Sequence, residues 1–370
     1  MSGIYISFPF CLQKCTYCHF SSGVFPSDWM RAYLEALETE IRAANFPSEP
    51  DTLYLGGGTP SLIEIDRLDR LLGSLPSRDW REATIEASPG TVTEERVHAW
   101  KELGINRVSL GVQSFISREV AATGRKHTPE TVAAEMALLA RVGIDDVNID
   151  LLAGLAHQTP TGWQESLDWI AKLSPSHVSV YMLDVDDDSR LGRELQSGGS
   201  RFGAGSVPSD DQITEFYTTA IEALKQHYLR QYEISNFARA GQESIHNLKY
   251  WRMEPYIGFG ADAHSFDGRR RWGNVASVKE YLDCSQRGES VRKMTETLDD
   301  RRIAEDRFIT GLRQIAGFDA PSSEMVMFQE PLRRLIERGW LRRENGNRLL
   351  LTQEGLLFSN EAFAEFLAAK

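Results

Sequence analysis

Three of the chain's four cysteines fall within eight residues, as Cys11-x3-Cys15-x2-Cys18 directly after a short apolar run, and this cluster dictates what the chain can fold around. Short spacings let one loop carry three thiolates to the corners of an iron–sulfur cube. Three ligands for four irons leave one iron open. On spacing alone two alternatives stand. One is a structural zinc site with His19 as fourth ligand; the other is three unrelated buried thiols, although buried cysteines scatter rather than cluster. Cys284 stands apart. A secreted disulfide scaffold would spread more cysteines over a shorter chain.

The first 185 residues alternate short apolar runs with amphipathic helical patterns, the signature of parallel β/α units. Strands are predicted at Ile4–Phe8, Thr52–Gly56, Thr84–Ala87, Arg107–Val112, Val147–Leu152 and Val178–Leu183. Helices are predicted near Asp28–Ala44, Ile65–Leu72, Thr93–Leu103, Pro129–Val142 and Gly162–Leu173. Ser27 is placed to cap the first helix, and Thr128-Pro129 gives a cap followed by proline. Gly104 and Gly143 fit the stop position after their helices.

Alternate strand residues face opposite sides. One face is apolar throughout and belongs under the helices. The other carries Tyr5, Tyr54, Glu86, Ser109, Gln113, Asn148, Asp150 and Tyr181. A closed eight-stranded barrel fills its lumen with Val, Ile and Leu. A polar lumen and six strands imply an α/β fold with an open, partial (β/α)6 barrel around a polar ligand.

Residues 184–208 are rich in Asp, Gly and Ser and read as a loop or lid. A helix is expected over Asp210–His227, a strand at Tyr232–Ser235, and an irregular stretch from His246 onward. Near the end, Trp340–Leu351 reads as a hairpin turning at Asn345-Gly346-Asn347 with a helix after it, a winged-helix-like arrangement. The expected units are a barrel over 1–185, an extension with the lid over 186–285, and a smaller C-terminal helical, winged-helix-like domain over 286–370.

The chain has 370 residues, 41% hydrophobic and 25% charged, within the ordinary range for a soluble protein. No apolar run approaches the roughly 18 residues that cross a bilayer, and the N-terminus does not read as a secretory signal. The cytoplasm is the expected compartment, with membrane contact only peripheral, through a partner. A net charge of −12 argues against a large nucleic-acid footprint, so no nucleic-acid partner is expected.

The Cys11/Cys15/Cys18 loop after a first strand resembles the radical S-adenosylmethionine (SAM) superfamily. The resemblance implies a [4Fe-4S] cluster whose open iron chelates SAM, and reductive cleavage of SAM to a 5′-deoxyadenosyl radical. Gly56-Gly57-Gly58-Thr59-Pro60, after the second strand, is similar to the family's SAM-amine motif and points to Gly57, Gly58 and Thr59. Glu86, the Gly111-Val112-Gln113-Ser114-Phe115 run, Arg125 twelve residues after Gln113, and Ile149-Asp150-Leu151-Leu152-Ala153-Gly154-Leu155 resemble the porphyrin-related branch. That branch's proline after Gly-Leu is Ala156 here. The resemblance makes Glu86, Gln113, Arg125 and Asp150, with Tyr5 and Tyr17, contacts to SAM.

His246-Asn247-Leu248-Lys249-Tyr250-Trp251 resembles the HNxxYW hallmark of HemW-type haem chaperones, and Tyr256–Ser265 is similar to a following run of the same family. These are relatives of oxygen-independent coproporphyrinogen III dehydrogenase. The resemblance implies haem as bound cargo, with His246 as axial or orienting ligand and Tyr250 or Trp251 stacking on it near the barrel mouth. The recipient is an acceptor haemoprotein. The dehydrogenase carries a fourth cysteine where this chain has Phe20, and a long extension ahead of a cluster that here begins at residue 11. Both differences favour the chaperone. His19 stands where the family more often has an acidic residue. An RNA-modifying radical SAM enzyme is the alternative of another class, resting on Arg269-Arg270-Arg271 and opposed by the acidic balance.

Overall fold

The computed structural model describes residues 2–46 and 49–367; residues 1, 47–48 and 368–370 of the expected units lie outside the described residues. Six parallel strands form the centre: β1 (Ser2–Phe8), β2 (Pro50–Gly57), β3 (Glu82–Ala87), β4 (Arg107–Gln113), β5 (Asp146–Ala153) and β6 (His177–Met182). The helices that cover them are α1 (Ser27–Arg42), α2 (Ile65–Leu72), α3 (Glu94–Glu102), α4 (Ser117–Ala122), α5 (Pro129–Val142) and α6 (Pro160–Leu173). Each strand and helix predicted for this half is present, with ends within two residues of expectation.

The alternation decides which face goes where. Ile4, Ile6, Phe8, Leu53, Leu55, Ile85, Val108, Leu110 and Val112 are all buried in one core beneath the helices. Burying each such side chain contributes roughly 1.5–3 kcal/mol. The local stops work as read. The Thr128 side chain accepts from the amide of Thr131 with Pro129 behind it, and Gly143 ends α5 in the left-handed region. One cap differs: Ser27 is the first residue of α1, Pro26 precedes it, and no side chain caps that end.

The sheet extends on both sides to twelve strands. After α7 (Arg190–Gln196) and α8 (Asp210–Gln226), β7 (Arg230–Gln231) and β8 (Asn236–Ala238) pair antiparallel, and β8 pairs antiparallel with β6. Beyond α9 (Ile245–Trp251), β9 (Tyr256–Phe259) runs parallel to β1. It leads outward through β10 (His264–Phe266), β11 (Arg270–Asn274) and, after α10 (Val278–Gln286), β12 (Arg292–Thr297).

Three expectations are corrected here. The lid is not an open loop. It holds α7 and a 3-10 turn at Arg201–Ser206, because Leu191 and Ala204 join Leu152, Leu155 and Leu183 in a small apolar cluster. Residues 232–235 are the turn between β7 and β8. There the Glu233 carboxylate accepts from the amide of Ser235 and the side chain of Asn236. The segment from His246 is not irregular: it is helix α9, capped by Ser244.

The C-terminal region comprises α11 (Asp300–Gly311), β13 (Phe318–Asp319), α12 (Ser322–Met327), α13 (Gln329–Glu337), β14 (Leu341–Glu344), β15 (Arg348–Leu351), α14 (Gln353–Leu357) and α15 (Ser359–Leu367). Its own core gathers Phe308, Phe328, Leu335, Leu349 and Phe366. The hairpin β14–β15 turns at Asn345-Gly346-Asn347, as the turn residues predict.

Candidate functional site

A cavity of about 690 Å3 opens at the C-terminal ends of β1–β6, where parallel barrels build their sites. Cys11, Cys15 and Cys18 line it, all three free thiols and half-buried. β1 and β2 end in register at Phe8 and Gly57, so the cysteine loop and the glycine run leave the sheet side by side. The amide of Gly58 donates to Phe8 O (2.8 Å) and that of Thr59 to Phe10 O (2.9 Å). A Cβ on Gly58 would lie 2.7–2.9 Å from three backbone atoms of Phe8 and Phe10, so only glycine permits this approach. Burial raises the pKa of the Cys11 thiol, against the lowering influence of the neighbouring Ser22 and Thr59. Ser22 also lies 3.8 Å from Cys18 Sγ.

Arg125 reaches into the same cavity from the loop after α4. Its Nε donates to Cys15 Sγ at 3.2 Å and its Nη1 to Ser88 Oγ at 3.2 Å and to the carbonyl of Gly111. This fork places a fixed positive charge against one thiol. Tyr17 and Gln113 stand on the cavity wall too, Gln113 with a φ of 71° at the end of β4. A left-handed backbone at a non-glycine residue is uncommon and concentrates at ligand sites.

Two carboxylates form the inner wall. Glu86 accepts from the amide of Gly57 (3.0 Å) and the hydroxyl of Tyr54 (3.0 Å). Burial, then the neighbouring Asp150, push its pKa up to about 7. Asp150 accepts from Asn148 Nδ2 (2.7 Å) and Ser109 Oγ (3.4 Å), and burial raises its pKa as well. Tyr5 stacks on Tyr54 with ring centroids 6.1 Å apart, beneath Gly56 rather than on the cavity wall. Sequence reasoning left Ser22, Ser88, Lys126 and His127 unassigned, although all four line the cavity. Ser88 had a signal, two residues beyond Glu86 on the same strand face; Ser22 had none.

The His246–Trp251 segment lies elsewhere. His246 is 1% exposed, and Nδ1 meets Thr52 Oγ1 (2.9 Å) while Nε2 meets the Tyr250 hydroxyl (2.8 Å). Thr52 and Gly3 belong to the N-terminal ends of β2 and β1, so α9 closes the barrel floor, opposite the cysteine loop. Glu82, at the start of β3, accepts from Ser244 Oγ (2.9 Å) and the amides of Ile245 (2.6 Å) and His246 (3.0 Å), a negative charge on the helix N-terminus. Lys249 pairs with buried Asp51 at 2.8 Å. Burial, then Lys249 and Arg107, lower the pKa of His246 to about 3, so its imidazole is neutral. Trp251 lies under the Arg313 guanidinium, 4.3 Å from the ring centroid. The expected position at the barrel mouth is not where these residues lie, because α9 packs against the floor, with His246 buried and Tyr250 and Trp251 half-buried.

The donor set fits the cofactors that the cysteine motif implies. Three free thiols, a guanidinium against one of them, a glycine run without Cβ and two half-buried carboxylates meet in one cavity of ligand size. The haem chaperone HemW of Bacillus subtilis is 34% identical to this chain over 99% of each. The chain belongs to the HemW family of radical SAM proteins. HemW of Synechocystis is 31% identical, over 99% of this chain and 96% of that one. The Radical SAM superfamily model matches residues 5–170, from Tyr5 in β1 to Ile170 in α6. The solved structure of coproporphyrinogen III oxidase (HemN) from Escherichia coli, described as a radical SAM enzyme, superposes with a TM-score of 0.83. It is 22% identical and covers 98% of this chain and 89% of that one. That likeness shows a shared fold across the whole chain, C-terminal region included.

Proposed function

We propose that this chain holds a [4Fe-4S] cluster on Cys11, Cys15 and Cys18, binds SAM beside it, and carries haem to an acceptor haemoprotein. The observation that carries the reading is the meeting of the three thiols, Arg125 and the Gly57–Thr59 turn in one cavity, on a chain similar end to end to HemW chaperones. When bound, cluster and SAM supply one-electron reductive cleavage chemistry. The residues divide the remaining work. Gly57, Gly58 and Thr59 offer backbone to the amine end of SAM, with Glu86 fixing Gly57. Arg125 faces the carboxylate, and Asp150 and Gln113 accept from or donate to the sugar side. Tyr17 closes the wall, and Tyr5 supports Tyr54 and Glu86 from below.

His246, Tyr250 and Trp251 act as the floor of the barrel in this reading and not as a haem surface. Both His246 ring nitrogens are occupied and the ring is sealed from solvent. Haem belongs at the open end, where Phe20 occupies the place of the dehydrogenase's fourth cysteine and is 59% exposed on the cavity rim. The arginine run of the RNA-modifying alternative is neutralised: Arg269 pairs with Asp300 (2.5 Å), Arg270 with Asp267 (2.8 Å) and Arg271 with Asp306. Among the described residues no helix is long and apolar enough to cross a membrane. The cytoplasm is the compartment we propose.

The test is anaerobic titration of reconstituted protein with haem, and separately with coproporphyrinogen III plus SAM and a reductant. A saturable Soret shift without protoporphyrinogen is expected. Formation of protoporphyrinogen would replace the chaperone with the dehydrogenase.

A further inference from the structure

We propose that haem seats across the mouth of the cavity with His19 as its axial ligand, a placement that rests on the haem-carrying function proposed above. Haem presents three chemistries: an iron that takes an imidazole, a broad apolar ring, and two carboxylates on one edge. The mouth offers a match to each.

The imidazole is found by elimination. Of the eight histidines, only His19 and His127 line the cavity. His127 Nε2 is buried on the wall without a hydrogen-bond partner, out of reach of a macrocycle. His177 and His246 are sealed, with both ring nitrogens engaged. His19 is exposed, directly follows Cys18, and packs at a tilt against Phe20 with ring centroids 4.8 Å apart.

The apolar match is a set of large side chains exposed around one opening: Leu12 at 72%, Phe20 at 59% and Met182 at 38%. Scattered exposed apolar residues need no explanation, but several on one rim mark a ligand surface. An aromatic ring at Phe20 can stack on a porphyrin face. For the carboxylates, the lining offers Lys14 and Lys126, with Asp184 also on it and Glu86 and Asp150 on the inner wall. Lys14 is oriented by donating to Phe20 O at 3.2 Å, which ties the cation to the apolar patch. In a chain of net charge −12, two lysines at this opening favour an anionic edge there.

The experiment is haem titration of the cluster-reconstituted full chain, read by absorbance and electron paramagnetic resonance, for the wild type, His19→Gly and Lys126→Glu. His19→Gly should lose the wild-type Soret position and low-spin signal and bind haem at least about tenfold more weakly. Free imidazole should restore the low-spin spectrum, which a merely structural role for His19 would not allow. Lys126→Glu should weaken haem with the axial signature unchanged. Wild-type spectra and affinity in His19→Gly would overturn the placement. If His19→Gly lost its cluster, Lys126→Glu decides, and unchanged affinity there overturns the proposal. A wild type with no saturable haem binding would instead sink the chaperone reading itself.

Discussion

The amide of Gly57 donates to Oε2 of Glu86 at 3.0 Å, so a half-buried carboxylate on β3 fixes the glycine run at the end of β2. Because burial and Asp150 push Glu86 to about 7, its protonation is coupled to folding. The folded value lies above the unfolded one, so this group's contribution to stability is complete below about pH 4.5. It is lost as pH rises through about 7. The loss is on the order of 3 kcal/mol. Glu86→Gln should remove that part of the pH slope in urea unfolding. A slope identical in wild type and variant would mean that Glu86 ionises as an ordinary carboxylate.

Arg125 joins Cys15 Sγ, Ser88 Oγ and the Gly111 carbonyl through one guanidinium. Arg125→Ala should weaken SAM binding by at least about 1 kcal/mol, the scale of one charge-assisted hydrogen bond. Asp150→Ala should do the same, and both variants should keep the cluster. Calorimetry on cluster-loaded protein gives the answer, and unchanged affinity in both would make these residues structural.

His246 spans the barrel floor from Thr52 to Tyr250. His246→Ala leaves both hydroxyls unpaired in a buried site and opens a cavity, which should cost about 2–4 kcal/mol of stability. Denaturant midpoints measure this. The folded fraction should bind haem with wild-type affinity, since the mouth lies at the other end of the strands. A stable His246→Ala protein that has lost haem would return the imidazole to the cargo.

Cys15→Ala should abolish the roughly four irons and four sulfides per chain expected of a cubane. Cys284→Ala should leave them intact, because Cys284 is buried on α10 and lines no part of the cavity. Iron and sulfide analysis after anaerobic reconstitution distinguishes them. Retention of the cluster without Cys15 would exclude it as a ligand.

What the sequence by itself determined is the parallel half of the molecule and its upper site. A strand alternates its faces every residue, so the rows Ile4/Ile6/Phe8 and Val108/Leu110/Val112 fixed which side packs, and Glu86 and Asp150 then had to point inward. The cysteines and glycines followed because both motifs are local: each lies on one short loop at a strand end. The floor was not local. Ser244 to Trp251 carries no long apolar stripe, and its helix is held by Glu82, Thr52 and Asp51, which lie more than 160 residues away in the chain. Periodicity cannot register partners at that separation, and the histidine motif therefore read as a ligand at the mouth. Only the tertiary structure decided that β9 joins β1 at the sheet edge. That pairing draws the preceding helix under the barrel and buries His246 where its ring nitrogens meet two hydroxyls.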